Sequence, residues 1–176
     1  MAFNPDVHKR RSIRLQGYDY SQAGLYFLTV CVENKECLFG SVEDGKMILN
    51  DYGRIAEEEW LKSAIIRSEI ELHVFIIMPN NIHGIVEIVG DTRMDDRPVA
   101  HTGINGPKPK SIGSLMGGYK ASVTKRINAL RDMPGSIVWQ RNYYEHIIRN
   151  AASYHNIADY ILTNPAKWQE DKFYFP

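Results

Sequence analysis

Two apolar, β-branched runs separated by one tight turn constrain the fold of this chain more than any other feature. Residues 70–78 and residues 81–89 are both rich in isoleucine and valine, and only Pro79-Asn80 lies between them. Proline followed by asparagine is typical of a turn, and alternating β-branched residues are typical of strands. The sequence therefore predicts two neighbouring antiparallel strands.

Further strands and helices are predicted on either side of this hairpin. Residues 25–32 are aromatic and β-branched and predict a strand, and a small hairpin is expected around Asp44-Gly45. Asp51 is expected to cap a helix that continues to about residue 64. Apolar residues at spacings of three and four predict another helix over residues 112–127.

The C-terminal part adds one strand and one helix. Residues 136–140 predict a short strand. Asn150 is expected to cap a last helix, which must stop near Asn164 because Pro165 disfavours helical geometry in the residue before it. Without the small hairpin, the order is strand, helix, strand, strand, helix, strand, followed by an extra helix. This is the ferredoxin-like, split βαβ pattern of an α+β domain, with an antiparallel sheet, helices on one face, and the first and third strands central.

Length and composition fit one domain over residues 1–176. Residues 1–24 form a basic N-terminal segment, and residues 90–110, rich in proline, glycine and aspartate, predict a mobile loop. The two cysteines are too few for a disulfide scaffold. No apolar run approaches the roughly 18 residues of a membrane span, and no signal region is visible, so we expect a cytoplasmic protein without a membrane partner.

The charges balance in total but are unevenly distributed. The chain has 21 Lys and Arg against 21 Asp and Glu, yet residues 101–131 contain no acidic residue. This asymmetry favours a basic face, for which nucleic acid is the usual partner, although a solvated helix face with a basic tail explains it equally well. The basic candidates for DNA binding in these regions are Arg10, Arg11, Arg14, Lys120, Lys125 and Arg126.

Two side chains of the second hairpin strand form a candidate metal site. Asn81 and His83 share a face with Ile85, because side chains two residues apart on a strand point the same way. A carbonyl oxygen beside an imidazole suits hard divalent cations such as Mg²⁺ or Mn²⁺. The alternative is a turn asparagine followed by a surface histidine.

The closing helix carries a candidate nucleophile. Asn156, Tyr160 and Asn164 recur every four residues and share one stripe. Tyr160 is expected at the edge of the packed face, beside an apolar stripe of Tyr154, Ile157 and Ile161. A tyrosine hydroxyl has a pKa near 10 and needs help as a nucleophile, which a metal-bound phosphate would give. The alternative is a tyrosine that only packs.

Residues 139–146 combine aromatic, amide and basic side chains. Arg141, Tyr144 and His146 belong to this segment. Such a combination suits single-stranded nucleic acid, whose exposed bases stack on aromatic rings. The alternatives are a core tryptophan with polar neighbours and a structural histidine.

Taken together, these motifs resemble those of single-strand tyrosine transposases, and within that group the REP-associated tyrosine transposases. The resemblance spans nearly the whole chain in the right order. It covers residues 10–15 with 17–20, residues 26–29, residues 78–84, residues 139–140 with 144–149, which end in Arg149, and residues 160–161 with 164–165.

The resemblance implies a His-hydrophobe-His metal motif, a catalytic tyrosine on the late helix, and a polar residue one turn later that completes the metal shell. These roles fall on Asn81 and His83, on Tyr160, and on Asn164. Tyr160 would then attack a phosphate of single-stranded DNA and leave a 5′ phosphotyrosine and a free 3′ hydroxyl, with Mg²⁺ or Mn²⁺ holding that phosphate. The implied substrates are hairpins of repetitive extragenic palindromes, and the implied assembly is a monomer or a homodimer.

Asn81 departs from the family pattern, which has histidine at this position. The alternative function is therefore a catalytically impaired or domesticated protein that holds hairpin DNA without cutting it. An RNA-binding ferredoxin-like domain is a weaker alternative, because the strands lack the expected paired aromatic motifs.

Overall fold

The structure is a computed structural model that describes residues 19–90 and 108–174. Arg10, Arg11 and Arg14, and most of the predicted mobile loop, lie outside these ranges. The described residues form β1 Gly24–Cys31, β2 Gly40–Glu43, β3 Lys46–Leu49, α1 Asp51–Ile66, β4 Ile70–Met78, β5 Asn81–Ile88, α2 Ile112–Leu130, β6 Tyr144–Ile148 and α3 Ala151–Thr163. Two 3-10 segments are also present, Glu33–Lys35 between β1 and β2 and Pro165–Glu170 after α3.

The main sheet has four antiparallel strands in the order β4-β5-β1-β6. β5 and β1 are central, as the ferredoxin-like pattern predicts, so each is hydrogen-bonded on both sides. β2 and β3 form a separate small hairpin. The predicted α+β fold is confirmed, and the side chains of β5 are held on a strand that cannot shift without breaking two ladders.

One face of the sheet is covered by α1 and α2. Ile82 and Val86 of β5 lie in this core with Trp60 of α1 and Tyr119 of α2. Gly84 is required here because a Cβ atom at this position would come within 2.6 Å of Trp60 Cζ2. The absence of a side chain on the strand therefore makes room for the largest side chain of the helix.

The extra helix, α3, packs on the opposite face, over β4 and β5. Ile85 of β5 contacts the buried Ala158 and Ile161 of the helix in this smaller core. Asn150 caps α3 as predicted, its side chain accepting a hydrogen bond from the Ser153 backbone N–H at 2.8 Å. The helices of the ferredoxin-like unit thus share one face, and the closing helix covers the face that carries His83.

The predicted strand over residues 136–140 is wrong. In the described part of the chain this segment makes one isolated bridge, between Val32 and Trp139, and the fourth strand of the sheet is β6, Tyr144–Ile148. Trp139 belongs to the helical core instead: its ring contacts Tyr119, and its indole N–H donates to the Lys120 carbonyl at 3.2 Å. Trp139 is therefore a core tryptophan that anchors this segment onto α2.

The predicted cap of α1 is also wrong by one residue. Asn50, not Asp51, accepts a hydrogen bond from the Gly53 backbone N–H, at 2.9 Å. The amide of Asn50 also donates to the Leu38 carbonyl at 2.9 Å, which a carboxylate could not do. None of the helices within residues 19–90 and 108–174 has the length and apolarity to cross a membrane.

Candidate active site

His83 lies on the central strand β5, on the face that α3 covers, and only 1% of it is exposed. Its Nδ1 is 2.9 Å from the Thr29 hydroxyl oxygen, in the register-matched position of β1. Its Nε2 is 3.2 Å from the hydroxyl oxygen of Tyr160. The neighbouring strand therefore fixes the orientation of the ring and directs the other nitrogen at the closing helix. Burial lowers the pKa of His83 to about 4, so the ring is neutral.

The Tyr160 hydroxyl is shared between the imidazole and a carboxylate. It donates to Asp171 Oδ2 at 2.9 Å. Because a phenol has one proton, the hydroxyl oxygen accepts from His83 Nε2–H, and His83 Nδ1 then accepts from Thr29. Burial first, and the hydrogen bond to Asp171 second, raise the pKa of Tyr160 above its ordinary value of 10.0. The resting side chain is therefore a neutral phenol.

Asp171 was not among the predicted site residues. It follows the 3-10 segment Pro165–Glu170, and its Oδ2 also accepts from the Asn164 amide at 2.7 Å. No sequence signal marks it, because Pro165 ends the helical geometry between the two residues, so the helical spacing that relates Tyr160 to Asn164 does not extend to Asp171. Only the change of direction after Pro165 brings the carboxylate back to α3.

Asn81 has a buried oxygen without a partner. Asn80 donates through its amide nitrogen to the carbonyls of Lys35 and Phe173, so its own side-chain oxygen is free to accept. That oxygen accepts from the amide nitrogen of Asn81 at 2.9 Å. These bonds fix which end of Asn81 is nitrogen and leave its Oδ1 buried and unbonded.

Asn164 has the same property. Its nitrogen faces the carboxylate of Asp171, because only the nitrogen can donate, and its Oδ1 is buried without a partner. A buried carbonyl oxygen is normally satisfied, and leaving one unbonded costs roughly 1–3 kcal/mol. Amide oxygens together with a neutral imidazole are ligand types that Mg²⁺ or Mn²⁺ accepts. Asn81, His83 and Asn164 therefore fit a divalent cation.

Residues 171–174, called here the C-terminal segment, cover the site. The ring of Phe173 lies 5.4 Å from the ring of His83, centroid to centroid. Its backbone N–H donates to Asp171 Oδ1 at 2.8 Å, and its carbonyl accepts from Asn80 at 2.9 Å. Asp171 and Tyr160 both line a cleft of about 500 Å³ next to this segment. The site is thus closed on the His83 side and open on the Tyr160 side.

An aromatic row runs from the site to the edge of the sheet. Phe27 stacks on His83, with ring centroids 5.8 Å apart, and its centroid lies 6.2 Å from that of Tyr144. Tyr144 is 40% exposed, and the exposed His146 is opposite Phe27 in the register of β1 and β6. Both predicted DNA-binding residues of β6 therefore lie on the face that carries His83.

The predicted basic residues differ in what they contact. Lys120 donates to the carbonyls of Gln140 and Arg141, at 2.6 and 3.1 Å, and burial lowers its pKa. Arg126 forms ion pairs with Glu58 and Glu59, at 2.7 and 2.9 Å. The remaining described candidates are exposed: Lys125, Arg141 and Arg149.

A second cluster of possible metal ligands was not predicted. Glu71, His73 and Glu87 offer ligand atoms that all lie within 4.8 Å of one another. The two ring nitrogens of His73 are already hydrogen-bonded, to Tyr154 at 3.1 Å and to Glu87 at 3.0 Å. A cation here would have to displace these bonds, whereas the oxygens of Asn81 and Asn164 are free.

Comparison with known proteins gives the following relationships. No protein-family model matches the chain. An uncharacterized protein of Haemophilus influenzae is 40% identical over 176 residues, which is 98% of this chain and 97% of that protein. The solved structure of a REP-associated tyrosine transposase bound to a REP hairpin aligns with a TM-score of 0.61 and 20% identity, over 90% of this chain and 76% of that one. A putative transposase from Deinococcus radiodurans aligns with a TM-score of 0.42 and 15% identity, over 85% of this chain and 95% of that one. The chain belongs to one family with the Haemophilus influenzae protein, and its fold is that of the REP-associated tyrosine transposase.

Proposed function

We propose that this protein is a divalent-metal-dependent transposase that nicks and rejoins single-stranded DNA, with Tyr160 as the nucleophile. The observation that carries the proposal is the approach of the Tyr160 hydroxyl to within 3.2 Å of His83 Nε2. A helix and a central strand 77 residues apart in sequence supply the two groups. The transposase with the same fold is bound to a REP hairpin, and we propose hairpin DNA with a single-stranded flank as the substrate here.

In the proposed reaction the phenol oxygen of Tyr160 forms a bond to the phosphorus of the scissile phosphodiester. The bond from phosphorus to the 3′ oxygen breaks, the phenol proton is lost, and the 3′ oxygen is protonated. The products are a 5′ phosphotyrosine and a free 3′ hydroxyl. Attack by another 3′ hydroxyl reverses the step and joins two strands, so no external energy source is required.

His83, Asn81 and Asn164 are the residues that would hold the cation. When bound, a divalent cation neutralises the phosphate and stabilises the charge that develops on it. The imidazole suits this role when it is neutral and carries its proton on Nδ1, where it donates to the Thr29 hydroxyl oxygen, because Nε2 then offers a lone pair. Burial keeps the ring neutral by lowering the pKa of His83 to about 4. Tyr144 and Phe27 provide rings on which an unpaired base next to the scissile phosphate can stack.

A second candidate function is hairpin binding without cleavage. Asn81 stands where the resembling family has an imidazole, and the C-terminal segment covers His83. Both features favour a protein that holds DNA and does not cut it.

A 3′-labelled hairpin oligonucleotide incubated with Mn²⁺ separates the two functions. In the nicking reaction the labelled fragment stays attached to the protein through its 5′ end, so it should migrate with the protein on a denaturing gel. We expect this adduct in the parent and none in Tyr160→Phe. The matched control is Tyr154→Phe. It also removes a hydroxyl from α3, but one that contacts His73 and not His83. An uncut complex on a native gel, with no adduct in the parent, would favour the binding function.

A further inference from the structure

We propose that Asp171 is the negatively charged ligand of the cation. Its carboxylate would replace the imidazole that the resembling family has at position 81, where this chain has asparagine. This inference rests on the proposed function, because it concerns the same site. It adds a residue from the C-terminal segment to a site otherwise formed by a strand and a helix.

His83 and Asp171 converge on one point. Nε2 of the imidazole lies 3.2 Å from the Tyr160 oxygen, and Oδ2 of the carboxylate lies 2.9 Å from the same oxygen. The two ligand atoms therefore approach a single position from different elements. The phenol oxygen occupies that position in the resting protein, where its proton satisfies the carboxylate.

The charges of the other candidate ligands favour a carboxylate as a further ligand. His83 is neutral, and Asn81 and Asn164 contribute only amide oxygens, so these three ligands leave the charge of a divalent cation uncompensated. Mg²⁺ sites in proteins normally include one or two carboxylates in addition to the phosphate oxygens of the substrate. Asp171 is hydrogen-bonded to both Tyr160 and Asn164, whereas Asp159 and Glu170, which line the same cleft, are exposed.

The position of Asp171 is fixed by the rest of the C-terminal segment. The Phe173 N–H donates to Oδ1, which leaves Oδ2 directed at Tyr160 and Asn164. Phe173 is in turn held at the hairpin turn by Asn80, the residue that also orients Asn81. One chain of hydrogen bonds thus connects the amide nitrogens of Asn81 and Asn164 with the carboxylate of Asp171. The side chains that would hold the cation are therefore positioned by one another.

Direct measurement of Mn²⁺ binding tests this inference without relying on nicking. Free Mn²⁺ is followed by its electron paramagnetic resonance signal during titration of the full chain. We expect Asp171→Asn to weaken Mn²⁺ binding at least about tenfold. Glu170→Gln, which removes the same charge from the adjacent exposed residue, should change the affinity less than about twofold, because an exposed charge acts only through solvent. Asp171→Glu should keep measurable binding, which a general folding defect would not allow.

Two further variants separate the failure of this inference from the failure of the proposed function. His83→Gln should abolish binding at the site, and His73→Gln should leave it unchanged. If Asp171→Asn binds Mn²⁺ as tightly as Glu170→Gln while His83→Gln does not bind, Asp171 is not a ligand and the cation site is formed by the other residues. If the parent does not bind Mn²⁺, or if His73→Gln alone removes binding, both the inference and the proposed site are wrong.

Discussion

The two faces of the central strand β5 differ in what they bury. Ile82 and Val86 meet Trp60 and Tyr119 in an apolar core beneath α1 and α2. On the other face, beneath α3, Asn81 and His83 are 0% and 1% exposed although both are polar. Consecutive side chains of β5 therefore point alternately into the apolar core and towards the polar site.

This difference separates the residues that stabilise the fold from those for which we propose a chemical role. Burial of apolar area stabilises the first face, at about 25 cal/mol per Å². The second face keeps two unbonded amide oxygens, which oppose folding, and a buried histidine whose charged form burial disfavours. Trp60 Nε1 on the first face is also unbonded, but it is a donor beside aromatic rings and offers nothing to a cation. The proposed cation would satisfy the oxygens of the second face and so offset their cost to stability.

Removing the central aromatic of the packing face should have the largest effect. Trp60 is 1% exposed and contacts Phe75 and Tyr119. We expect Trp60→Ala to lower the free energy of unfolding by about 3–5 kcal/mol, the usual result of emptying a large core position. Urea denaturation measures this change. Tyr160→Phe, on the other face, should lower the free energy of unfolding by less than about 1.5 kcal/mol. Equal losses in the two variants would remove the distinction between the faces.

The next effect in size is a pH dependence that belongs to the site face. Burial holds the pKa of His83 at about 4 in the folded protein, against an ordinary value of 6.5. Between these values the unfolded chain binds a proton that the folded protein does not, so stability is full above pH 6.5 and falls as the pH drops towards 4. The shift corresponds to about 3 kcal/mol in the metal-free protein.

Urea midpoints of the parent and of His83→Gln, both in a chelator, measure this contribution between pH 7 and pH 4. Other groups titrate in both proteins, so the informative quantity is the difference between the two curves. We expect the parent to lose more stability than the variant over this range. Parallel curves would mean that the histidine is not held in its neutral form.

Most of the fold could be predicted from the sequence, because its strands and helices follow from periodicity. The Pro79-Asn80 turn and the alternation over residues 81–89 predicted β5, its central position, and the face shared by Asn81, His83 and Ile85. The fourth strand was misplaced because Trp139 is as compatible with a strand as with an anchor, and only its contact with α2 decides between them.

The site was predicted only in part, for two structural reasons. Asp171 reaches Tyr160 after a change of chain direction that no spacing encodes. The cluster of Glu71, His73 and Glu87 depends on a β-bulge between Leu72 and Phe75, which shifts the hairpin register and sets Glu71 opposite Glu87. The pairing of Tyr160 with His83 was expected from the resemblance, and the structure brings the two side chains into contact.

The smallest expected effect comes from restoring the imidazole that the site lacks. Asn81→His should tighten Mn²⁺ binding about tenfold, or about 1.4 kcal/mol, and raise nicking of the hairpin above that of the parent. The same substitution should lower the free energy of unfolding in the absence of metal, because a larger ring must enter a position that is 0% exposed and must lose the hydrogen bond to Asn80.

Asn81→Phe is the matched control, since its ring is similarly large but cannot bind a cation. Both variants should therefore lose stability in a chelator, and only the histidine variant should regain it when Mn²⁺ is added. If the parent nicks normally and Asn81→His adds neither affinity nor activity, Asn81 is a sufficient ligand as it stands. In that case the amide oxygen of Asn81 serves the cation as well as an imidazole would, and the polar face of β5 would be as well adapted to its ligand as the apolar face is to Trp60.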